Sequence, residues 1–124
     1  MKKEFEEFIS LIGRNISRCP WIKKQNIESY KEELLSEAKE VTQAIENKDY
    51  QNLKEELGDL MWDTVMMAYL AEKEGHFKPG EILKSIKDKI KRRKPYIFGE
   101  KKDITIEEAN RIWSKEKERE RKKD

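Results

Sequence analysis

Asp59 and Asp63 stand one helical turn apart inside Leu57 to Ala71, LGDLMWDTVMMAYLA, the most apolar stretch of the chain, which contains no Lys or Arg. An ionised carboxylate taken out of water without a partner costs several kcal/mol even after relaxation. Acids in such surroundings point to a bound metal, another cation or water. Glu33, Glu37 and Glu40 recur upstream at helical spacing, and Glu56 precedes Asp59 by three residues. At about 100° per residue, Glu33, Glu37 and Glu40 form a stripe roughly 60–120° to one side of the Leu34, Ala38, Val41 and Ile45 face. Glu56, Asp59 and Asp63 lie about as far, in the same rotational sense, from the Leu53, Leu57, Leu60 and Thr64 face. Two antiparallel helices joined by those apolar faces are related by an approximate twofold axis, so six carboxylates should line one groove. That crowding repels by several kcal/mol at short range and is tolerable when divalent cations neutralise it. Oxygen ligands of this kind suit Mg²⁺ or Mn²⁺. A Glu-rich face is also what a solvated helix presents, and Lys31 and Lys39 sit among Glu33, Glu37 and Glu40. That reading suits Asp59 and Asp63 less well, because Trp62, Val65 and Met66 occupy much of the face that would otherwise be solvent.

Helices must position these groups. Phe5, Phe8, Ile9, Ile12 and Ile16 predict a first amphipathic helix from about Lys2 to Ser17, broken by Cys19-Pro20-Trp21. A second runs from an N-cap at Ser29 to Asn47 on the Leu34, Ala38, Val41 and Ile45 stripe. Asn47 and Lys48 make the turn. Asp49 caps a third helix that continues to about Glu74 and stops at Gly75. Pro79 opens a fourth, carried by Ile82, Leu83, Ile86 and Ile90 and ended by Lys94-Pro95. Tyr96 to Asp103 reads as loop. Thr105 with Glu108 has capping-box spacing and opens a last helix through Ile112 and Trp113 before a charged tail expected to fray from about residue 116. The expected fold is all-α: an antiparallel bundle of four to five helices in a single domain over residues 1–124. The third helix is apolar nearly all round, so it needs cover from more than one partner, economically a second subunit.

Composition excludes several classes. Charged residues make up 44% of the chain, yet 28 Lys and Arg against 26 Asp and Glu leave a net charge of only +2. The charge is mixed, which argues against a dedicated nucleic-acid surface. The basic surplus lies late, in Lys87 to Lys94, Lys101-Lys102 and Lys115 to Lys123, while acids dominate Glu28 to Glu56. A lone Cys19 and a lone His76 allow neither an internal disulfide nor a Cys/His zinc site. Cys19 reads as inert and His76 as a surface or capping residue. No apolar run approaches the ~20 residues that span a bilayer, so a soluble cytoplasmic protein is expected.

Short strings extend over most of the chain: Cys19-Pro20-Trp21 with Gln25; Glu37-Ala38-x-Glu40-Val41 with Ala44-Ile45; Leu53-x-Glu55-Glu56-Leu57-Gly58-Asp59-Leu60; Ala71-x-x-Glu74-Gly75-x-Phe77; and Lys89-x-x-Arg92-Arg93-x-Pro95-x-x-Phe98. In order and spacing the chain resembles the MazG family of all-α nucleoside triphosphate pyrophosphohydrolases. The family motif is E-E-x-x-E followed by E-x-x-D. By resemblance the metal ligands are Glu37, Glu40, Glu56 and Asp59. Ser36 departs from the motif's first Glu, a place that Glu33 or Asp63 would partly fill. Lys94 and Tyr96 depart from the His residues of the family's R-H-P-H-V-F ending.

The resemblance implies Mg²⁺-dependent cleavage of a (d)NTP between the α and β phosphates, with Glu37 or Glu33 taking the proton of the attacking water. Lys89, Arg92 and Arg93 would bind phosphates, Lys89 and Arg93 from one face of the fourth helix. The same basic cluster also complements a helix C-terminus. Asp63 would serve the substrate, and Trp113, or Trp21, would stack on the base. A homodimer or pair of dimers is implied, with no nucleic-acid or membrane partner. The competing expectation is a helical regulatory or assembly protein that kept the bundle and lost the chemistry, for which Ser36 speaks.

Overall fold

A computed structural model describes residues 1–99 and 103–123. Among these, six α-helices are joined by short connections and no strand occurs: α1 Lys2–Arg18, α2 Pro20–Lys23, α3 Ile27–Glu46, α4 Tyr50–Lys73, α5 Pro79–Arg93 and α6 Ile106–Lys122. None is long and apolar enough to cross a membrane. The chain divides into two compact units, residues 1–79 and residues 80 onward.

In the first unit α3 and α4 form the most extensive helix pair. Cross-contacts run in opposite chain order: the Ile27 amide donates to Glu74 at 2.7 Å, the Tyr30 hydroxyl donates to Asp63 at 2.7 Å, and Glu37 meets Glu56. The pair is therefore antiparallel. Its turn places Lys48 at φ 55°, a left-handed conformation that costs a non-glycine residue about 1–2 kcal/mol. Asp49 then starts α4, its Oδ1 accepting from the Asn52 amide at 3.1 Å. At the far end Gly75, at φ 83°, supplies the expected left-handed stop.

Local structure corrects the reading in three places before the core is reached. The Cys19-Pro20-Trp21 segment does not merely break the chain: Pro20 occupies the first turn of the short α2, where its missing N–H costs nothing, and α2 buries Ile22. Helix α3 is capped three residues earlier than expected, at Asn26 instead of Ser29. Asn26 Oδ1 accepts from the Ser29 amide at 2.7 Å and Ser29 Oγ accepts from the Asn26 amide at 2.9 Å, so Ser29 is the returning half of a reciprocal cap. Part of the expected Tyr96–Asp103 loop is a 3₁₀ turn at Pro95–Ile97; positions 100–102, and with them the Lys101-Lys102 pair, lie outside the described residues.

A fourth difference concerns which face of α4 is inside. Leu57 is 44% exposed and Thr64 is exposed, whereas Asp63, Met66, Leu70 and Ala71 are buried. The inward face is thus rotated away from Leu57 and Thr64 of the expected Leu53/Leu57/Leu60/Thr64 face and takes in Asp63 of the carboxylate stripe, while Leu53 and Leu60 are half-buried and Asp59 is exposed. Phe8, Ile12 and Asn15 of α1 explain the rotation: Phe8 meets the Trp62 ring edge-on at 6.2 Å, and Asn15 Nδ2 lies 3.5 Å from Met66 Sδ. Ile12, Ile22, Tyr30, Met66 and Leu70 form the buried cluster.

In the second unit α5 carries Ile82, Leu83 and Ile86 exposed. Thr105 caps α6 as expected, accepting from the Glu108 amide at 3.1 Å. Helix α6 is described to Lys122. Glu116–Arg119 and Glu118–Lys122 pairs and the anchoring of Glu120 support its last turns.

Met66 is fully buried and Leu57 is not. Met66→Ala should lower the unfolding free energy by about 2–5 kcal/mol, and Leu57→Ala by well under half of that, in urea titrations of each variant at a concentration where the wild type shows one oligomeric state. Equal losses would mean that the core is centred on the Leu57 side after all.

Candidate functional site

The reciprocal cap at Asn26 and the α3–α4 turn fix the start of α3 and the register of the pair, and that register sets glutamates against acids. From α3 come Glu33, Glu37 and Glu40; from α4 come Glu56, Asp59 and Asp63. Carboxylate oxygens of Glu37, Glu56 and Asp59 lie within 4.8 Å of one another. Glu40 sits beside them, close enough to interact with Glu37 and to hydrogen-bond with Glu56, but outside that tight trio. Glu33 is exposed, one turn before Glu37, and its charge is felt at Asp63 and Tyr30.

Burial raises the Glu37 carboxyl to about 8, helped by Glu56 and by the charges of Glu40 and Asp59. Glu56 is raised as well, first by its contact with Glu40. These shifts express like charges held together away from water. Glu37 Oε2 and Glu56 Oε2 are buried and have no hydrogen-bond partner. Such orphaned acceptors are costly in an apolar setting and are satisfied by a cation. The donor set is all hard oxygen. Three carboxylate oxygens this close could be drawn onto one small divalent ion by side-chain adjustment. The residues therefore fit a divalent cation.

Asp63 separates from this group. It is only 7% exposed, one oxygen accepts the Tyr30 hydroxyl and the other is buried without a partner. Burial raises its carboxyl despite the Tyr30 bond, which acts the other way, and the Tyr30 hydroxyl is pushed well above the phenol range by burial and by Asp63. Sequence reasoning missed Tyr30. Its position seven residues before Glu37, hence on the same helical face, was the available signal.

The basic candidates lie in the second unit. Arg92 Nε and Arg93 Nη2 both donate to the Glu120 carboxylate, at 2.9 and 2.7 Å, which holds that carboxyl down at about 2. The Arg93 side chain is only 13% exposed, and its guanidinium lies 4.8 Å from the Trp113 ring centre, with Lys94 Nζ at 5.8 Å. Arg93 Nε is buried without a partner. Trp113 thus has cations on its ring, a use that base stacking would have to share. Lys89, half-buried, makes no ion pair among the described residues. Trp21 in the first unit is exposed, with its ring centre 6.1 Å from that of Tyr30. Glu120, hidden in a charge run, was not singled out; its place seven residues after Trp113 was the signal.

The elevated Glu37 carboxyl gives a signed pH dependence. Folded, it keeps its proton to about pH 8; unfolded, it loses it near the ordinary 4.5. Between those values the folded state binds more protons, so stability is highest at the acidic end of the window and declines as pH rises. In chelator, the unfolding free energy should fall from about pH 5 to pH 8, Glu37→Gln should flatten the curve, and Mg²⁺ should restore most stability at the alkaline end. Superimposable wild-type and variant curves would remove Glu37 from the coupled cluster.

Residues 25–98 match the family described as the MazG nucleotide pyrophosphohydrolase domain. The chain is 35% identical over 111 residues to a Bacillus subtilis (strain 168) protein named YabN and described as uncharacterized, covering 88% of this chain and 22% of that protein. It is 33% identical to the Thermotoga maritima nucleoside triphosphate pyrophosphohydrolase/pyrophosphatase MazG, over 91% of this chain and 45% of that one. With the Escherichia coli (strain K12) nucleoside triphosphate pyrophosphohydrolase it shares 36% identity, over 83% and 39%. The chain thus spans less than half the length of these curated relatives. The crystal structure of a MazG-related protein from Thermotoga maritima superposes with a TM-score of 0.85 at 36% identity, covering 91% of this chain and 98% of the other. With the carboxylates of α3 and α4 gathered as described, this all-helical chain belongs to the MazG nucleotide pyrophosphohydrolase family.

Proposed function

We propose that the chain is a nucleoside triphosphate pyrophosphohydrolase that cleaves (d)NTP between the α and β phosphates, yielding the monophosphate and pyrophosphate. The observation that carries this reading is the Glu37, Glu56 and Asp59 trio, with buried unpaired oxygens, in a chain of this family. The family match at 25–98 extends across both compact units, which supports one functional domain.

Glu37, Glu40, Glu56 and Asp59 would hold Mg²⁺, with Mn²⁺ as a substitute, and the bound ion would neutralise phosphate charge and acidify water. Glu37 ligates in its ionised form, so its proton leaves when the site is filled. Glu33 is exposed and one turn away, free to accept the proton of the attacking water; Glu37 is the other candidate base. Asp63 would serve a hydroxyl or amine of the nucleoside once its buried unpaired oxygen is uncovered, with Tyr30 fixing the carboxylate's orientation. Within the second unit, Lys89 would serve phosphate as a point charge and Arg92 and Arg93 as a paired fork. Trp113 supplies an aromatic wall beside Arg93.

The exposed Phe5, Leu11, Leu57 and Met61 form apolar surface on the first unit, which supports a homodimer in which a second copy covers this face.

The test is pyrophosphate release from standard and modified (d)NTPs with Mg²⁺. Ligand-held metal supplies several kcal/mol to such reactions, so at 1.36 kcal/mol per tenfold Glu56→Gln and Asp59→Asn should each lower kcat/KM on the order of 100-fold or more. Monophosphate and pyrophosphate should be the products. Orthophosphate as the first product would move the cleaved bond elsewhere, and no turnover at saturating metal would favour the non-catalytic alternative.

A further inference from the structure

Two of the short strings along the chain, Cys19-Pro20-Trp21 with Gln25 and Ala71-x-x-Glu74-Gly75-x-Phe77, lie outside the carboxylate cluster, yet the fold brings them together in the first unit. Helix α2 has four residues, too few to hold a helical shape by its own hydrogen bonds. Ile22 anchors it in the core, but in the connection that follows Lys23, Lys24 and Asn26 are exposed and Gln25 is half-buried. One buried side chain fixes where α2 sits and leaves its direction to polar ties. Gln25 Nε2 donates to the Trp21 carbonyl at 3.4 Å, and Gln25 Oε1 accepts from the Ser29 hydroxyl at 2.8 Å, which joins α2 to the cap of α3. Lys73 Nζ donates to the Lys23 carbonyl at 3.0 Å, and Glu74 Oε2 accepts from the Ile27 amide at 2.7 Å. Glu74 is the C-cap of α4, where a negative charge opposes its own helix dipole; the positive N-terminus of α3 offsets that. Its other oxygen lies 3.8 Å from His76 Nε2.

These bonds act on the groups nearest Asp63. Tyr30 belongs to the first turn of α3, the turn whose first amide Glu74 holds, and its hydroxyl donates to Asp63. Helix α4 therefore grips that turn at two points, Asp63 and Glu74. Trp21, 53% exposed on α2, has its ring centre 6.1 Å from that of Tyr30. Fifteen residues, about 22 Å of helix rise, separate Glu74 from Asp59, too far for Glu74 to touch the metal-ligand candidates. We propose that Glu74 is a positioning residue for the nucleoside end of the substrate: with Gln25 and Lys73 it clamps the α2–α3 connection, so that Trp21 and the Tyr30–Asp63 pair hold one geometry before substrate arrives. Side chains ordered in advance lose less freedom on binding, so the clamp acts on affinity. That Trp21 and Asp63 face a nucleoside rests on the hydrolase reading above; the clamp itself rests on the hydrogen bonds among α2, α3 and α4.

The experiment is steady-state hydrolysis of a (d)NTP by the whole chain with Mg²⁺, paired with the emission of Trp21 in a Trp62→Phe/Trp113→Phe background. Glu74→Ala should raise KM about three- to tenfold while kcat and the Mg²⁺ concentration for half-maximal rate stay within about twofold, the signature of lost binding that ground and transition states share. Glu74→Gln, which keeps an acceptor for the Ile27 amide, should recover most of the loss. Gln25→Ala should act in the same direction as Glu74→Ala, which keeps the test decisive if the latter folds poorly. In the single-tryptophan background both alanine variants should lower the anisotropy of Trp21 emission and increase its quenching by acrylamide. Unchanged KM or unchanged Trp21 emission in both alanine variants, a loss of kcat at constant KM, a shifted Mg²⁺ requirement, or Glu74→Gln no better than Glu74→Ala would each overturn the assignment. Looser Trp21 emission in the alanine variants of a chain that hydrolyses no nucleotide would support the clamp and count against the hydrolase reading alone.

Discussion

Carboxylates facing one another between α3 and α4 are the constraint around which the first unit is organised. Two long helices joined by a three-residue turn must pack over most of their length, and the register set by that turn and by the Asn26–Ser29 cap brings Glu37 against Glu56 and Asp59. Apolar packing by α1 and α2 through Ile12, Ile22, Met66 and Leu70 holds the helices together against that repulsion. The crowding and burial that raise Glu37 to about 8 are what a bound cation would relieve, so stability and metal affinity would be coupled at this cluster.

Asp63 and Tyr30 show a graded use of the same acidic face. Near the α3–α4 turn the acids are partly open and crowd one another, an arrangement that could hold a metal ion. Toward the core, the acid is buried and tied by a single hydroxyl, with one acceptor left over. The change from one to the other follows burial, since solvent can screen Asp59 and Glu33 but not Asp63. The second unit solves the opposite problem: its adjacent guanidinium groups are held close by one carboxylate, Glu120, and by the electron-rich face of Trp113. Acid-rich and base-rich ends of one short chain are each neutralised in part, and each keeps unsatisfied groups of its own sign.

Sequence alone determined the five longer helices to within a turn, their punctuation at Asp49, Gly75, Pro79 and Thr105, and the convergence of acids from two segments, because 3.6-residue periodicity and capping chemistry are local; the short α2 was not legible. The family motifs were equally legible. What only the tertiary structure decided was the rotation of α4, the buried pairing of Tyr30 with Asp63, and the tie of Arg92 and Arg93 to Glu120. A helix apolar nearly all round has no single inward face until its neighbours are placed; α1, through Phe8 and Asn15, chooses the side of Met66 over that of Leu57. Likewise a glutamate in a charged run has many possible cationic partners, and only the approach of α5 to α6 within the second unit selects two of them.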